Sequence, residues 1–108
     1  NKEPFIILGS PGGSRIITAV LQTILNVTVH NMNIQEAVSA PRVHSQWLPD
    51  VIMAESYSII KDVETSLINK GHEILPYKNI GDVNAILINE DGYFGGTDIR
   101  GENTAIGY

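Results

Sequence analysis

The stretch that most constrains this chain is residues 8–22, LGSPGGSRIITAVLQ. An apolar run, Pro4 to Leu8, stops at Gly9, and Pro11, Gly12 and Gly13 separate it from a long apolar segment. Phe5 to Leu8 is uniformly apolar and reads as a strand buried on both faces. Residues 14–29 read as a helix. Ile16, Val20, Leu21, Ile24, Leu25 and Val27 make a wide apolar face, which Ile17 and Val29 widen further. Thr18, Gln22 and Asn26 recur at fourfold spacing and leave only a narrow polar stripe. Such a helix is expected to be mostly buried, so other layers must cover it. The chain must therefore pass from strand to helix through a few residues, two of which carry no Cβ.

Glycine lets another molecule approach the backbone closely and tolerates positive φ. The first N–H groups of a helix have no intrahelical partner, and the dipole there favours negative charge. Together these features describe an anion site built from backbone N–H groups. Its occupant would be a phosphate, a carboxylate, or an oxyanion that forms only during catalysis. The competing reading is a glycine-rich turn that serves tight strand–helix packing, and the residues alone leave both open. Two phosphate motifs are absent: no P-loop Lys follows the glycines, and there is no G-x-G-x-x-G. Ser10 is a poor nucleophile-elbow serine. Leu8 replaces the first glycine of G-x-S-x-G, and Pro11 removes the N–H that an elbow gives its oxyanion hole.

The rest of the chain reads as one compact α+β unit. Asn33 with Glu36 resembles a capping box, starting a short helix, IQEAVSA, that Pro41 stops. PRVHSQWLPD reads as an irregular connector, Val51–Ala54 as a short strand, and HEILPY as another. A second helix is expected from Ser58 to Asn69. Ile59, Ile60, Val63, Leu67 and Ile68 form its apolar face and Gly71 its C-terminal cap. Val83–Ile88 and Tyr93–Thr97 flank NEDG, a strong hairpin signal. The tail, DIRGENTAIGY, is turn-rich.

Composition narrows the function classes. The net charge is −5 without a block of like charges, so a nucleic-acid partner is not expected. There is no cysteine, hence no disulfide framework and no thiolate nucleophile. No apolar run is long enough to span a membrane as a helix. NKEPFIILGS lacks a signal peptide's basic start, and the chain is expected to begin inside a larger protein. His30, His44 and His72 show no metal spacing, so no metal site is expected. His44, in RVHSQW beside Arg42 and Trp47, reads more readily as part of a polar knot than as a site-lining group. Arg15 is expected to brace the glycine loop by pairing with a carboxylate such as Asp98 or Glu102, rather than to hold an anion itself. Asp98 and Arg100 fit a tight turn with a local ion pair. Asn26-Val27-Thr28 matches a glycosylation sequon but falls inside the expected buried helix.

GSPGGSRIITAVLQ, NIQEAVSAPRVHSQWLPD and the terminal GGTDIRGENTAIGY together resemble the C-terminal part of the small subunit of γ-glutamyltranspeptidases (glutathione hydrolases). The resemblance runs in order over residues 1–108. It implies an N-terminal nucleophile hydrolase, in which two sheets are stacked between helical layers in an αββα sandwich. It also implies a precursor that cleaves itself and a Thr nucleophile that this chain does not contain. Gly12 and Gly13 match the two glycines whose N–H groups form the family's oxyanion hole and so contact substrate; Arg15, Arg42 and His44 are expected to give structural support. The implied partners are a γ-glutamyl donor such as glutathione, an acceptor amino acid, dipeptide or water, the rest of the small subunit, and the large subunit. No cofactor is called for, and the resemblance places the parent in the periplasm or outside the cell. A fragment of this kind is expected to be inactive alone and to self-associate. The competing functions are a non-enzymatic anion-binding module and a purely structural α+β domain.

Overall fold

In the computed structural model, which describes residues 5–106, the elements follow one another as β1 (Ile6–Gly9), α1 (Arg15–Thr28), α2 (Ile34–Ser39), β2 (Val43–His44), β3 (Ile52–Ala54), α3 (Lys61–Asn69), β4 (Ile74–Pro76), β5 (Asn84–Asn89) and β6 (Gly92–Gly96). Pro4, at the head of the expected strand, and Gly107 and Tyr108, at the end of the tail, lie outside the described residues. The chain reads as one unit in sequence, but its contacts divide it into two. One unit comprises Asn1–Ala40 with Gly81–Tyr108, the other Pro41–Ile80.

In the first unit β1, β5 and β6 form an antiparallel sheet in that order, with Ile6 opposite Leu87 and Leu8 opposite Ala85. Successive strand side chains point to opposite faces. Ile6, Leu8, Ala85 and Leu87 pack with Ala19, Val27, Ile34, Val38 and Val83 to form the core. Ile7 and Ile86 point the other way and are 52% and 43% exposed. The strand expected to be buried on both faces is thus covered on one face only. The β5–β6 hairpin turns through Glu90 and Asp91, as NEDG predicts. Asn89 Oδ1 accepts the Asp91 N–H at 2.8 Å, and Gly92 takes φ +126°, which suits glycine.

The two helices of this unit obey their local signals but not every burial expectation. Asn33 caps α2 reciprocally: its side chain accepts the Glu36 N–H at 2.8 Å, and Glu36 Oε1 accepts the Asn33 N–H at 3.2 Å. On α1 only Ala19 and Thr23 are fully buried. Ile17, Leu21, Leu25 and Val29, four residues apart, form an exposed apolar stripe. The polar stripe, by contrast, is half-buried. Its burial is tolerated because its side chains return to backbone carbonyls: Gln22 Nε2 donates to Thr18 O at 2.9 Å and Asn26 Nδ2 to Ala37 O at 3.1 Å.

In the second unit β2 pairs antiparallel with β3, and β3 pairs parallel with β4. Parallel neighbours need a crossover, which the segment containing α3 supplies. Val43–His44 is therefore a strand inside the segment expected to be irregular. Helix α3 starts three residues later than its periodicity suggests. The Ser58 N–H and hydroxyl both donate to Glu55 O, at 3.1 and 2.6 Å, holding a turn there, and Ile60 is extended at φ −72°, ψ 156°. No α3 residue is fully buried, and Ile60, Val63 and Ile68 are exposed. The C-terminus ends as expected, with Gly71 at φ +94°. The His72 N–H donates to Leu67 O and the Gly71 N–H to Ile68 O, which is a Schellman closure.

Candidate functional site

The loop between β1 and α1 is an orderly reversal of peptide planes. Gly12 has φ +130° and Gly13 φ +60°, both in the region that side chains disfavour. The Gly12 carbonyl accepts the Arg15 N–H at 3.2 Å, and the Gly13 carbonyl accepts the Ile16 N–H at 3.1 Å. The Pro11 carbonyl accepts the Ser10 hydroxyl at 2.7 Å. In a trans peptide the C=O and the following N–H point in opposite directions. Turning the Pro11 and Gly12 carbonyls back onto protein donors thus turns the Gly12 and Gly13 N–H groups outward. Both glycines are exposed, and among the described residues neither N–H has a protein acceptor. Two adjacent N–H groups without protein acceptors thus lie exposed just before a helix N-terminus, where the helix dipole favours negative charge.

The loop is also held from a distance. The Asp82 N–H donates to Ser10 Oγ at 2.9 Å, and Asn103 Nδ2 donates to Asp82 Oδ1 at 2.8 Å and to Asp98 O at 2.9 Å. A Cβ on Gly12 would lie 3.8 Å from the Gly81 Cα. The obstacle to a larger residue at Gly12 is therefore its backbone conformation rather than crowding. Ser10 is engaged as both donor and acceptor within the scaffold, which accords with its poor fit to a nucleophile elbow.

The other sequence-predicted residues fall as follows. Arg15 opens α1 and is half-buried. Arg42 is 1% exposed. Its N–H donates to Glu55 Oε1 at 2.8 Å, its Nη1 to Ile80 O at 2.8 Å, and its carbonyl accepts the Glu55 N–H at 3.0 Å. Glu55 Oε2 completes this knot by accepting the Ile80 N–H at 2.6 Å. His44 is buried on β2 with its Nε2 2.9 Å from Gln46 Oε1. Arg42 and His44 belong to the second unit, and the glycine loop to the first. Asp98 and Arg100 form the expected local ion pair at 2.8 Å. The amide of Asn26, the would-be sequon residue, is engaged with Ala37 O. Sequence reading passed over Glu55 and Asp82. Nothing in AES or GDV distinguishes a buried, bridging carboxylate or a long-range N–H donor.

The gamma-glutamyltranspeptidase family model matches residues 1–108. This chain belongs to that family. It is 37% identical over 115 residues to the glutathione hydrolase proenzyme of Pseudomonas sp. (strain A14), covering 95% of this chain and 20% of that protein. It is 38% identical over 99 residues to the glutathione hydrolase proenzyme of Escherichia coli (strain K12), covering 91% of this chain and 17% of that protein. It superposes on the Helicobacter pylori gamma-glutamyltranspeptidase T380A mutant with a TM-score of 0.86 at 50% identity, covering 94% of this chain and 56% of that one. The chain thus spans a fifth or less of these two curated relatives' length, and it matches the C-terminal part of a γ-glutamyltranspeptidase small subunit. Its α+β fold is that of the corresponding part of an N-terminal nucleophile hydrolase.

Proposed function

We propose that this region serves an enzyme that transfers or hydrolyses the γ-glutamyl group of glutathione-like compounds, and that its contribution is the oxyanion hole. The observation that carries the reading is the pair of exposed Gly12 and Gly13 N–H groups that, among the described residues, have no protein acceptor, on a loop whose Pro11, Gly12 and Gly13 carbonyls each accept a protein donor. In this reading a Thr elsewhere in the small subunit attacks the γ-glutamyl carbonyl. The carbonyl oxygen gains full negative charge as the tetrahedral species forms, and the two N–H groups meet it. Collapse expels the amine, which takes up a proton, and leaves a γ-glutamyl ester on Thr. Water or an acceptor amine then attacks that ester through a second oxyanion at the same place. Donors fixed by the backbone need no reorganisation as charge develops, which is why such groups act on the barrier rather than on ground-state binding.

The test is single-turnover acylation of the intact, matured parent by γ-glutamyl-p-nitroanilide. Gly12→Ala and Gly13→Ala should each slow acylation on the order of 10²-fold, with substrate dissociation constants within a few-fold of wild type. Residues 1–108 alone should not turn this substrate over. Wild-type acylation in both glycine variants would leave the loop with a packing role only.

A further inference from the structure

The Ser10 hydroxyl makes two independent bonds at the glycine loop, and the chemistry proposed above does not use it. Its Oγ donates to the Pro11 carbonyl at 2.7 Å and accepts the Asp82 N–H at 2.9 Å. The first bond is local, whereas the second comes from 72 residues away and is partly buried. Asp82 is itself held, because its carboxylate accepts Asn103 Nδ2 at 2.8 Å. The hydroxyl is therefore a relay between a fixed piece of backbone and one particular carbonyl.

That carbonyl matters because it shares a rigid plane with the Gly12 N–H. Fixing Pro11 O fixes the direction of the Gly12 N–H. Proline already locks φ of residue 11, so the remaining freedom of that plane is rotation about ψ of Pro11. Gly12, with φ +130° and no Cβ, does little to restrain the plane from the other side. The Gly12–Gly13 plane is restrained differently, by the helix itself, through Gly12 O and the Arg15 N–H. Of the two outward donors, then, one is aimed by helix geometry and the other by a side chain.

We propose that Ser10 is a positioning residue for the first oxyanion donor. Its hydroxyl, anchored by the Asp82 N–H, holds the Pro11–Gly12 peptide with the Gly12 N–H turned outward. The proposal rests on the oxyanion-hole reading of Gly12 and Gly13. It predicts a hierarchy: losing the hydroxyl loosens one donor, whereas a Cβ on Gly12 misdirects it.

The experiment uses the intact, matured parent with Ser10→Ala, Ser10→Thr and Gly12→Ala in parallel. Ser10→Ala should slow single-turnover acylation by γ-glutamyl-p-nitroanilide about 10-fold, less than a lost donor does. The substrate dissociation constant should stay within a few-fold of wild type. Affinity for a boronic-acid analogue of the γ-glutamyl group, which forms a tetrahedral anionic adduct on Thr, should fall by the same factor as the acylation rate. Ser10→Thr keeps the hydroxyl and should recover most of both losses. A brace with no role in aiming the donor would lower the melting temperature and leave the acylation rate and boronate affinity in place. Wild-type acylation in Ser10→Ala beside a slow Gly12→Ala overturns the positioning role and leaves the oxyanion reading standing. Wild-type rates in both overturn the two together. If Ser10→Ala does not mature, Ser10→Cys, a weaker donor and acceptor, takes its place with the same expected split.

Discussion

Asp98 and Arg100, two residues apart, close on each other with almost no exposure: Arg100 Nη1 donates to Asp98 Oδ1 at 2.8 Å. The same oxygen accepts the Arg100 N–H at 2.9 Å, and Asp98 Oδ2 accepts the Val83 N–H at 2.6 Å. Arg100 spends its remaining reach on α2, donating from Nη1 to Val38 O at 2.9 Å and from Nη2 to Ala40 O at 2.9 Å. One ion pair thus ties the tail to the start of β5 and to the carbonyls that end α2. Helix C-termini leave such carbonyls without intrahelical donors.

Removing one member of a buried pair leaves the other charged and uncompensated, which costs more than the pair contributes. Asp98→Ala is expected to destabilise the parent by about 3–5 kcal/mol. Asp98→Asn, which keeps the shape and one acceptor, should cost less. Denaturant unfolding of both variants measures the difference. Equal stability of Asp98→Ala and wild type would remove the pair from the account of how the tail is held.

Two glycines should respond to alanine for different reasons. At Gly96 a Cβ would stand 2.9 Å from the Ile34 carbonyl oxygen and 3.1 Å from its Cγ1, so β6 and α2 would have to separate. Overpacking of this kind typically costs about 1–3 kcal/mol. At Gly71 nothing lies within 4 Å, but φ is +94°, so the cost is conformational, about 1–2 kcal/mol. Thermal unfolding should rank both variants below wild type. A crystal structure of Gly96→Ala should show α2 displaced from β6, and Gly71→Ala should show no packing change.

Ile17, Leu21, Leu25 and Val29 are 75%, 50%, 39% and 61% exposed along one line of α1. An apolar stripe of that length invites association. Residues 1–108 prepared alone are expected to sediment as more than a monomer at micromolar concentration. Ile17→Lys with Leu21→Lys should shift the chain toward monomer while preserving its helical circular dichroism. A wild-type chain that sediments as a clean monomer would contradict the expectation.

Sequence by itself determined the local events, because each is decided by a few neighbouring residues. Asn33 and Glu36 sufficed to start α2, Gly71 to end α3, NEDG to turn the β5–β6 hairpin, and the apolar period to place α1. The positive φ of Gly12 and Gly13 in SPGGS was also legible, since two residues without Cβ between a strand and a helix permit that backbone. Tertiary structure alone decided which faces were covered. Periodicity marks the whole face as apolar, but exposure depends on what packs against it: Ile16, Val20, Ile24 and Val27 are half-buried, as are Gln22 and Asn26, while Ile17, Leu21 and Leu25 stay exposed. The start of α3 was lost to a local competitor, the Ser58–Glu55 turn, in which the Ser58 N–H and hydroxyl both reach Glu55 O. The bond from the Asp82 N–H to the Ser10 hydroxyl was the least legible feature. It joins residues 72 apart in sequence, and no local pattern reports a contact made only when the chain has folded.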